Sequence, residues 1–460
     1  MGRKDQLKKI KSGVLSRGLA LAKVSVSAGA KAASHAVGNL FADEASKPER
    51  FKALLISQMD TLSRELGQLK GSMMKVGQLI SMYGEHFLPP EANALLKSLQ
   101  AQSPPLEWAA IEKVIRKQLK PEQLADLEID PEPVASASLG QVHRARRKST
   151  GQWLAMKIQY PGVDQAIEGD LKALKSILQI SKLIPKGPNY DEVFSEIKAM
   201  LNQEVDYERE LKTTLEFRHK LMEDSDYVIP EPLAEFSTRR ILTTTFEEGV
   251  AVDSPEVLSL SQERRDRIGA AALRLYMKEL FEFAAVQTDP HFGNYRVRIG
   301  KNGEPDRLIL LDFGAVRKLS KVFLKAYLDM VRAAHAQDAS GIIEAGTRLG
   351  YLNEEDEKGL KQVFAELCLL ITEPFCPPPT PGAPEHLFDA NGGYHWELSD
   401  LPKRVAKKGG QLALEARLRN PPREIVFLDR ELGGIFIFLS VLKVRFNARD
   451  LASSFVTQRK

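Results

Sequence analysis

Four short polar segments follow one another along the chain and constrain what it can fold into. They are a run of small residues at 135–142, a lysine at 157, an Asp-to-Asn segment at 289–294 and an acidic segment at 312–314. The first two lie among short strand-like runs, whereas most of the sequence before and after these runs has helical periodicity. The pattern predicts an α+β protein in which a small strand-rich unit precedes a larger helical unit. A cleft between two such units is a favoured place for a ligand.

The hydrophobic pattern gives expectations for individual elements. Helices are expected at 50–127, 163–183 and 191–222, and strands at 134–158, 233–236 and 240–246. A hairpin is expected from Tyr295–Ile299 and Arg307–Leu311, since Asn302-Gly303 between them is a favoured turn pair. The Pro-rich segment 373–384 is expected to be an exposed loop.

The net charge of +4 is distributed unevenly, and the distribution bears on partners. Residues 1–40 hold eight basic side chains and a single acid, so they carry +7 and leave the rest of the chain at −3. The basic segment 1–49 is typical of a solvated tail or of an amphipathic anchor on an anionic membrane. The near-neutral remainder gives no argument for nucleic acid, which we exclude as a partner.

Disulfide frameworks and zinc sites are disfavoured, because the chain has only two cysteines and no histidine cluster near them. No signal peptide is visible, since the segment 14–41 is interrupted by basic residues. The most apolar run, 435–442, is far shorter than the roughly 20 residues needed to span a bilayer. We therefore expect a cytoplasmic protein, or one that is peripheral at the inner face of a membrane.

The small-residue segment has the spacing of a kinase nucleotide loop, with alanine at the first two glycine positions. Small residues let backbone N–H groups approach phosphate oxygens closely. Taken alone, the segment is more typical of an ordinary strand turn of small residues. The residues expected to bind ATP are Ala135, Ser136, Ala137, Ser138, Gly140 and Val142.

Lys157 ends the next strand-like run, fifteen residues beyond Val142, where a kinase carries its phosphate-binding lysine. A buried ammonium group needs an acidic partner. The helix expected at 191–222 offers Glu204 and Glu210, which point in different directions because six helical residues rotate by about 240°. We expect Glu210 to pair with Lys157; the alternative is that these acids lie on a solvated helix face.

Asp289 and Asn294 have the spacing of a kinase catalytic loop, in which Asp orients or deprotonates the acceptor and Asn binds metal. Asp312, at the head of Asp-Phe-Gly, follows an apolar strand and is suited to hold Mg²⁺ across the phosphates. His291 is more typical of a residue that orients the loop backbone than of an acid or base. Four such segments in this order indicate a Mg-ATP-binding protein.

The combination resembles the UbiB/AarF-domain family of atypical kinases. The family-specific part is Lys75-x-Gly-Gln78 together with the Ala-rich loop, and Glu204-x-Asp206 also matches. The resemblance implies a bilobal protein-kinase-like fold with an N-terminal helical extension over the active site. In it, Lys75, Gln78, Glu204 and Asp206 gate the site. The alternative for Lys75 is plain helix packing.

The resemblance also implies boundaries and a biological setting. The expected ranges are 1–49 for the basic segment, 50–127 for the extension, 128–248 for the N-lobe and 249–460 for the helical C-lobe. Members of the family are linked to ubiquinone or other prenyl-lipid biosynthesis and associate with membranes. The expected partners are therefore ATP, prenyl-lipid or quinone intermediates and an anionic membrane surface.

Two departures from the family pattern limit what can be carried over. Gln100-Ala101 stands where Gln-Asp is usual, and Thr243-Thr-Thr-Phe246 stands where Met-Glu is common, which leaves adenine recognition open. Thr288 replaces the arginine that precedes the catalytic Asp of many protein kinases, and no Ala-Pro-Glu follows Asp312. Ordinary protein kinase activity is therefore disfavoured.

The function expected from the sequence is that of an atypical kinase or ATPase with ATP and Mg²⁺ as cofactors. In it Asp289, Lys157 and Glu210 are catalytic, and Asn294 and Asp312 bind the metal. Two alternatives stay open. One is a small-molecule kinase of the aminoglycoside or choline type. The other is a non-catalytic, ATP-gated scaffold of a lipid-synthesis complex.

Overall fold

The computed structural model describes residues 75–77, 79, 105–137, 139–180, 188–415 and 423–456. The chain divides into two compact units. The first unit comprises the described residues up to Leu215 together with Glu231–Phe246, and the second comprises Glu216–Pro230 with the described residues from Glu247 onward. The expectations for the basic segment 1–49, for Gln78, for Gln100-Ala101 and for Ser138 lie outside the described residues.

Helices and an antiparallel sheet alternate between Trp108 and Thr245. In chain order the elements are α1 (Trp108–Gln118), α2 (Pro121–Ala125), β1 (Leu127–Ser136), β2 (Gly140–Arg147), β3 (Trp153–Gln159), α3 (Val163–Ile180), α4 (Pro188–Glu204), α5 (Tyr207–Lys220), β4 (Tyr227–Val228) and β5 (Ile241–Thr245). Residues 75–77 and 79 are helical, in the range expected for the extension.

The sheet of the first unit has the order β1-β2-β3-β5, and each neighbouring pair is antiparallel. Side chains alternate along β3, and Leu154, Met156 and Ile158 are fully buried on one face of the sheet. Lys157 points to the other face, with Val142 opposite it on β2 and Leu242 opposite it on β5. The neighbouring strands β2 and β5 thus flank Lys157 on both sides.

The single helix expected at 191–222 is wrong, since α4 ends at Glu204 and α5 begins at Tyr207. The backbone leaves the helix because the side-chain amide of Gln159 on β3 donates to the carbonyl of Val205. Asp206 Oδ1 then accepts from the backbone N–H of Arg209 at 3.1 Å and caps α5. Glu204 and Glu210 therefore lie on two separate helices.

The strand expected at 233–236 is also wrong. Ala234–Phe236 is a short 3₁₀ helix, held where the hydroxyl of Thr243 on β5 donates to the carbonyl of Phe236 at 2.7 Å. The neighbouring expectation at 240–246 is confirmed, because β5 occupies Ile241–Thr245.

The second unit is mainly helical. After β5 its elements are α6 (Pro255–Leu258), α7 (Gln262–Lys278), a π-helical turn (Glu279–Phe283), β6 (Ala285–Gln287), β7 (Tyr295–Arg298), β8 (Arg307–Leu310), β9 (Val316–Lys318), α8 (Lys321–His335), α9 (Ala339–Arg348), α10 (Lys358–Ile371), β10 (Tyr394–His395), α11 (Leu401–Glu415), α12 (Arg423–Val441), β11 (Arg445–Phe446) and α13 (Ala448–Val456).

Short strand pairs at one end of the second unit carry its polar loops. The hairpin of β7 and β8 turns at Asn302 and Gly303, both in the left-handed region (φ 54° and 90°), as expected for this turn pair. β4 adds to β8 in parallel, and β6 pairs with β9. These loops rest on a large apolar core that includes Leu273 and Leu428.

The Pro-rich segment 373–384 is only partly the exposed loop that was expected. Pro374, Phe375, Cys376 and Pro377 are buried, and Phe375 belongs to the apolar core. Among the described residues, no helix is both long enough and apolar enough to cross a membrane.

Candidate active site

Lys157 and Glu210 form an ion pair in the first unit. Lys157 Nζ lies 2.7 Å from Glu210 Oε1 and 3.0 Å from Oε2, so the ammonium group meets both carboxylate oxygens. The Glu210 side chain is 2% exposed and the Lys157 side chain 20% exposed. A carboxylate this deeply buried needs the neighbouring cation to offset its lost hydration.

Helix α5 positions Glu210 from its first turn. The ring of Tyr207, one turn earlier, lies 5.2 Å from Lys157 Nζ and adds a cation–π contact. The helix break at Val205–Asp206 is what points this turn at β3. Glu210 therefore meets Lys157 because α5 starts where it does, not because of a spacing from Glu204.

The small-residue loop joins β1 to β2. Ala135 and Ser136 end β1, opposite Val142 and Gln141, and the N–H of Ala137 donates to the carbonyl of Gly140 at 2.9 Å. Gly140 is needed for close approach rather than for a positive φ. A Cβ there would lie 2.3 Å from the carbonyl oxygen of Ile158 on β3. The loop thus sits tightly against the strand that carries Lys157.

The residues expected to gate the site do not act as one group. Lys75 Nζ lies 2.8 Å from Glu204 Oε1, with side chains 6% and 14% exposed. Asp206 caps α5 instead, as described above. The pair and the cap flank the same helix break, so both help to fix where α5 begins.

The segment 289–294 forms a tight loop in the second unit. Asn294 Nδ2 donates to the carbonyl of Asp289 at 2.8 Å, and the N–H of Gly293 donates to His291 Nδ1 at 2.9 Å. His291 therefore orients the loop backbone, as expected. The Asp289 carboxylate faces a cation that sequence reasoning missed, because Arg430 Nη2 lies 2.9 Å from its Oδ1.

Asp312 lies beside Asn294. The N–H of Leu311 donates to the carbonyl of Asn294 at 3.0 Å, which places Asp312 next to that loop at the end of β8. Asp312 Oδ1 accepts from the N–H of Gly314 at 2.8 Å. The ring of Phe313 packs against Phe217 with centroids 5.0 Å apart and is 4% exposed, which anchors the segment in the core.

Comparison with known proteins assigns the chain to a family. The model of the ABC1 atypical kinase-like domain matches residues 98–346, more than half of the chain. The chain belongs to the ABC1 atypical kinase-like family. The expected membership of the UbiB/AarF group of atypical kinases is thereby confirmed, as is an atypical kinase-like protein with an α+β fold.

Two curated relatives show how far this family similarity extends. The mitochondrial atypical kinase COQ8 of Saccharomyces cerevisiae is 31% identical over 84% of this chain and 74% of its own length. The mitochondrial atypical kinase COQ8B of Danio rerio is 31% identical over 84% of this chain. Less than two thirds of the latter protein, 59%, is matched.

A solved structure supports the fold. Rv3197 from Mycobacterium tuberculosis, determined in complex with erythromycin, aligns with 89% of this chain and 98% of its own at a TM-score of 0.57. The sequence identity is 23%. This structural similarity therefore supports a kinase-like fold for the present chain and says nothing about its activity or ligands.

Polar residues just before the segment 289–294 tie it to the segment that begins at Asp312. Gln287 Nε2 donates to the carbonyl of Asp312 at 2.7 Å, and Gln287 Oε1 accepts from the N–H of Thr288 at 2.9 Å. The hydroxyl of Thr288 donates to the carbonyl of Ala315 at 2.7 Å. Sequence reasoning noted Thr288 only as a missing arginine and overlooked Gln287. Both brace one loop against the other.

Two buried acids lie behind this bracing. Glu279 Oε2 accepts from the N–H of Gln287 at 2.9 Å, and burial raises the pKa of Glu279 to about 8. Burial also raises the pKa of Glu431 well above its usual range. The carboxylates of Glu279 and Asp289 add to this effect, and Arg430 opposes it. Burial therefore favours the protonated form of both side chains.

The donor chemistry of Asp312 and Asn294 fits a magnesium ion. Mg²⁺ prefers oxygen ligands and is usually held by one or two carboxylates together with substrate phosphates. Asn294 uses its amide nitrogen on Asp289, so its amide oxygen is the atom that remains for a ligand. In the part of the chain that the structure describes, no group of three or more His, Cys, Asp or Glu residues is arranged to hold a metal. A phosphate-dependent site needs no such group.

Proposed function

We propose that this ABC1-family chain binds Mg-ATP and either hydrolyses it or transfers its γ-phosphoryl group. The observation that carries the proposal is the Lys157–Glu210 pair. An ammonium group held on a central strand by a nearly inaccessible carboxylate, and itself still one-fifth exposed, is suited to meet a phosphate.

Each residue of the chain has a distinct proposed role. Lys157 holds the α- and β-phosphates, and Glu210 keeps Lys157 in place. Asp289 orients the attacking acceptor or water and takes up its proton. Asn294 and Asp312 hold Mg²⁺, which supplies positive charge at the phosphate oxygens when it is bound. Ala135, Ser136, Ala137, Gly140 and Val142 form the loop over the nucleotide.

The acceptor is proposed to be water or a small molecule rather than a peptide. The hydroxyl of Thr288 donates to the carbonyl of Ala315, so the residue before Asp289 braces the loop. It is not the arginine that binds a phosphorylated segment in many protein kinases. The ion pair of Lys75 with Glu204 is proposed to restrain the site. Family membership supports a setting in ubiquinone or other prenyl-lipid biosynthesis, with peripheral contact to an anionic membrane.

The test compares Mg-ATP binding by calorimetry with steady-state ATP turnover. We expect wild-type protein to bind and turn over Mg-ATP, and Asp312→Asn to lower turnover by about 100-fold or more. Asp253→Asn is a matched control, since Asp253 is an exposed acid in the same unit, and it should behave as wild type. No Mg-ATP binding by wild type, or full turnover in Asp312→Asn, would contradict the proposal.

The same assay tests the membrane setting. Anionic vesicles are expected to raise turnover several-fold in the full chain, because residues 1–45 can lie on a negative surface. A chain that lacks residues 1–45 should lose this response and keep its basal turnover. A vesicle effect that survives the deletion would show that the basic segment is not the anchor.

A further inference from the structure

We propose that Arg430 is a positioning residue for Asp289, which it holds in the orientation that the reaction needs. The inference rests on the proposed function, since it assigns a support to the residue that handles the acceptor or water. It concerns the C-terminal helix α12, which lies beyond the part of the chain matched by the ABC1 domain.

The contact has the geometry of a positioning pair. Arg430 Nη2 lies 2.9 Å from Asp289 Oδ1, and the two side chains are 23% and 16% exposed. The carboxylate of an aspartate rotates about χ2 over a broad range. The guanidinium group is planar and always charged, so it favours one orientation of that carboxylate more strongly than a lysine would.

A second contact sets the register of α12 against the same loop. Gly434 lies four residues after Arg430, on the same face of the helix. A Cβ built on Gly434 would lie 2.2 Å from Cβ and 2.4 Å from Cγ of Pro290, the residue after Asp289. The helix therefore touches the loop closely at two points one turn apart. The position of the guanidinium group follows from this packing.

The charges around Arg430 direct it toward Asp289. Glu431 is 2% exposed and Glu279 is 3% exposed, and burial raises the pKa of both, which favours their protonated forms. Glu431, the neighbour of Arg430 in the sequence, is thereby a weaker competitor for the guanidinium group. Arg430 contacts the carboxylate of Asp289 directly.

The competing explanation is that Arg430 only stabilises the fold. Losing one member of a partly buried pair is expected to cost stability whether or not the pair serves a reaction. A loss of activity in an Arg430 variant therefore decides nothing alone. A double-mutant cycle with Asp289 separates the two explanations, because a residue that acts through Asp289 has no further effect once that carboxylate is gone.

The experiment uses the full chain with Arg430→Met, Arg430→Lys, Asp289→Asn and the double variant Asp289→Asn/Arg430→Met. Methionine keeps much of the apolar stem, and lysine keeps the charge without the fork. Arg264→Met is the matched control, because Arg264 contacts Asp306 through two nitrogens elsewhere in the same unit. For each variant we would measure the Mg-ATP dissociation constant, kcat and the melting temperature.

We expect Arg430→Met to lower kcat at least about tenfold and to leave the Mg-ATP dissociation constant within about twofold. Arg430→Lys should recover part of kcat, and Arg264→Met should keep all of it. In the Asp289→Asn background, Arg430→Met should change the residual rate by less than about twofold.

Three results would overturn the inference. They are an unchanged kcat in Arg430→Met, an equal loss from Arg430→Met with and without Asp289, and a loss of kcat that only follows the melting temperature. If Arg430→Met does not fold, the cycle is run with Arg430→Lys and read in the same way. Absence of turnover in wild type would overturn the proposed function itself, and the two failures are thus distinguishable.

Discussion

Two ion pairs enter the proposed function, Lys157–Glu210 in the first unit and Arg430–Asp289 in the second, and their members are assigned opposite roles. In the first pair the acid is 2% exposed and the cation 20% exposed, and the cation is the proposed working group. In the second pair the proposed working group is the acid. Its proposed support is Arg430, whose Nη2 lies 2.9 Å from one carboxylate oxygen of Asp289.

This difference in assigned roles predicts how replacing each member of a pair should change substrate binding and reaction rate. Under the proposed function, removing the working group removes a contact to the substrate, whereas removing its support leaves that contact in place but less well oriented. The first change should alter binding and rate together, and the second should alter mainly the rate. Comparing both members of one pair is therefore more informative than replacing either alone.

The largest effect is expected from Lys157. Lys157→Met should lower ATP turnover by about 100-fold or more and weaken Mg-ATP binding, because the phosphates lose their cation. Glu210→Gln should lower turnover by about tenfold, since the lysine stays but is held less firmly. Steady-state kinetics and calorimetry on both variants measure the difference.

Lys113→Met, at an exposed lysine on α1, is the control for removing a charge from the first unit. The comparison between support and working group would fail if Glu210→Gln were as damaging as Lys157→Met in both binding and rate. It would also fail if both variants bound and turned over Mg-ATP like wild type.

A smaller effect is expected from the buried acids of the second unit. Glu279 has an ordinary pKa of 4.5 that burial raises to about 8, so the folded state binds its proton more tightly than the unfolded state. That stabilisation is present below the unfolded pKa and is lost as the pH rises through the folded pKa. Wild-type protein should therefore lose stability between about pH 5 and about pH 8, and Glu279→Gln should lose less.

The expected difference in the loss of unfolding free energy is at least about 1.4 kcal/mol, the equivalent of a tenfold change in proton affinity. Denaturant unfolding at the two pH values measures it. Some slope should remain in Glu279→Gln, because burial also raises the pKa of Asp429 to about 7 and that of Glu431 well above its usual range. Glu355→Gln, at an exposed acid, should keep the wild-type slope. A Glu279→Gln slope equal to that of wild type would show that Glu279 is ionised in the folded protein.

Local pattern predicted part of this architecture. Alternating residues placed Lys157 on a strand, and Asn302-Gly303 indicated the hairpin turn between β7 and β8. Both depend on neighbours in the sequence. The helix break at Val205–Asp206 did not follow, because apolar periodicity continues through it. At the break, the side-chain amide of Gln159, which lies on a strand distant in the sequence, donates to the carbonyl of Val205.

Arg430 could not be predicted for a related reason. It lies 141 residues from Asp289 and no motif spacing joins them. The available signal was the glycine pair Gly433-Gly434, in the most apolar part of the C-terminal sequence. A glycine in an apolar helix indicates a close approach by another segment, here Pro290. The bracing roles of Gln287 and Thr288 could not be predicted from the sequence, because their hydrogen bonds depend on which loops fold against each other.

The smallest effect on turnover is expected from the Lys75–Glu204 pair. It adds a third ion pair to the comparison, one whose proposed role is to restrain the site. If the pair restrains the site, the double variant Lys75→Met/Glu204→Gln should raise ATP turnover by about two- to fivefold, because it removes both charges and leaves neither buried alone. Lys175→Met, which breaks a more exposed lysine–aspartate pair in the same unit, should leave turnover unchanged. If the pair only packs the helix, as Lys75 at 5% exposure also permits, turnover should instead fall together with the melting temperature. Steady-state turnover measured beside thermal unfolding on the same samples separates a restraint from a support.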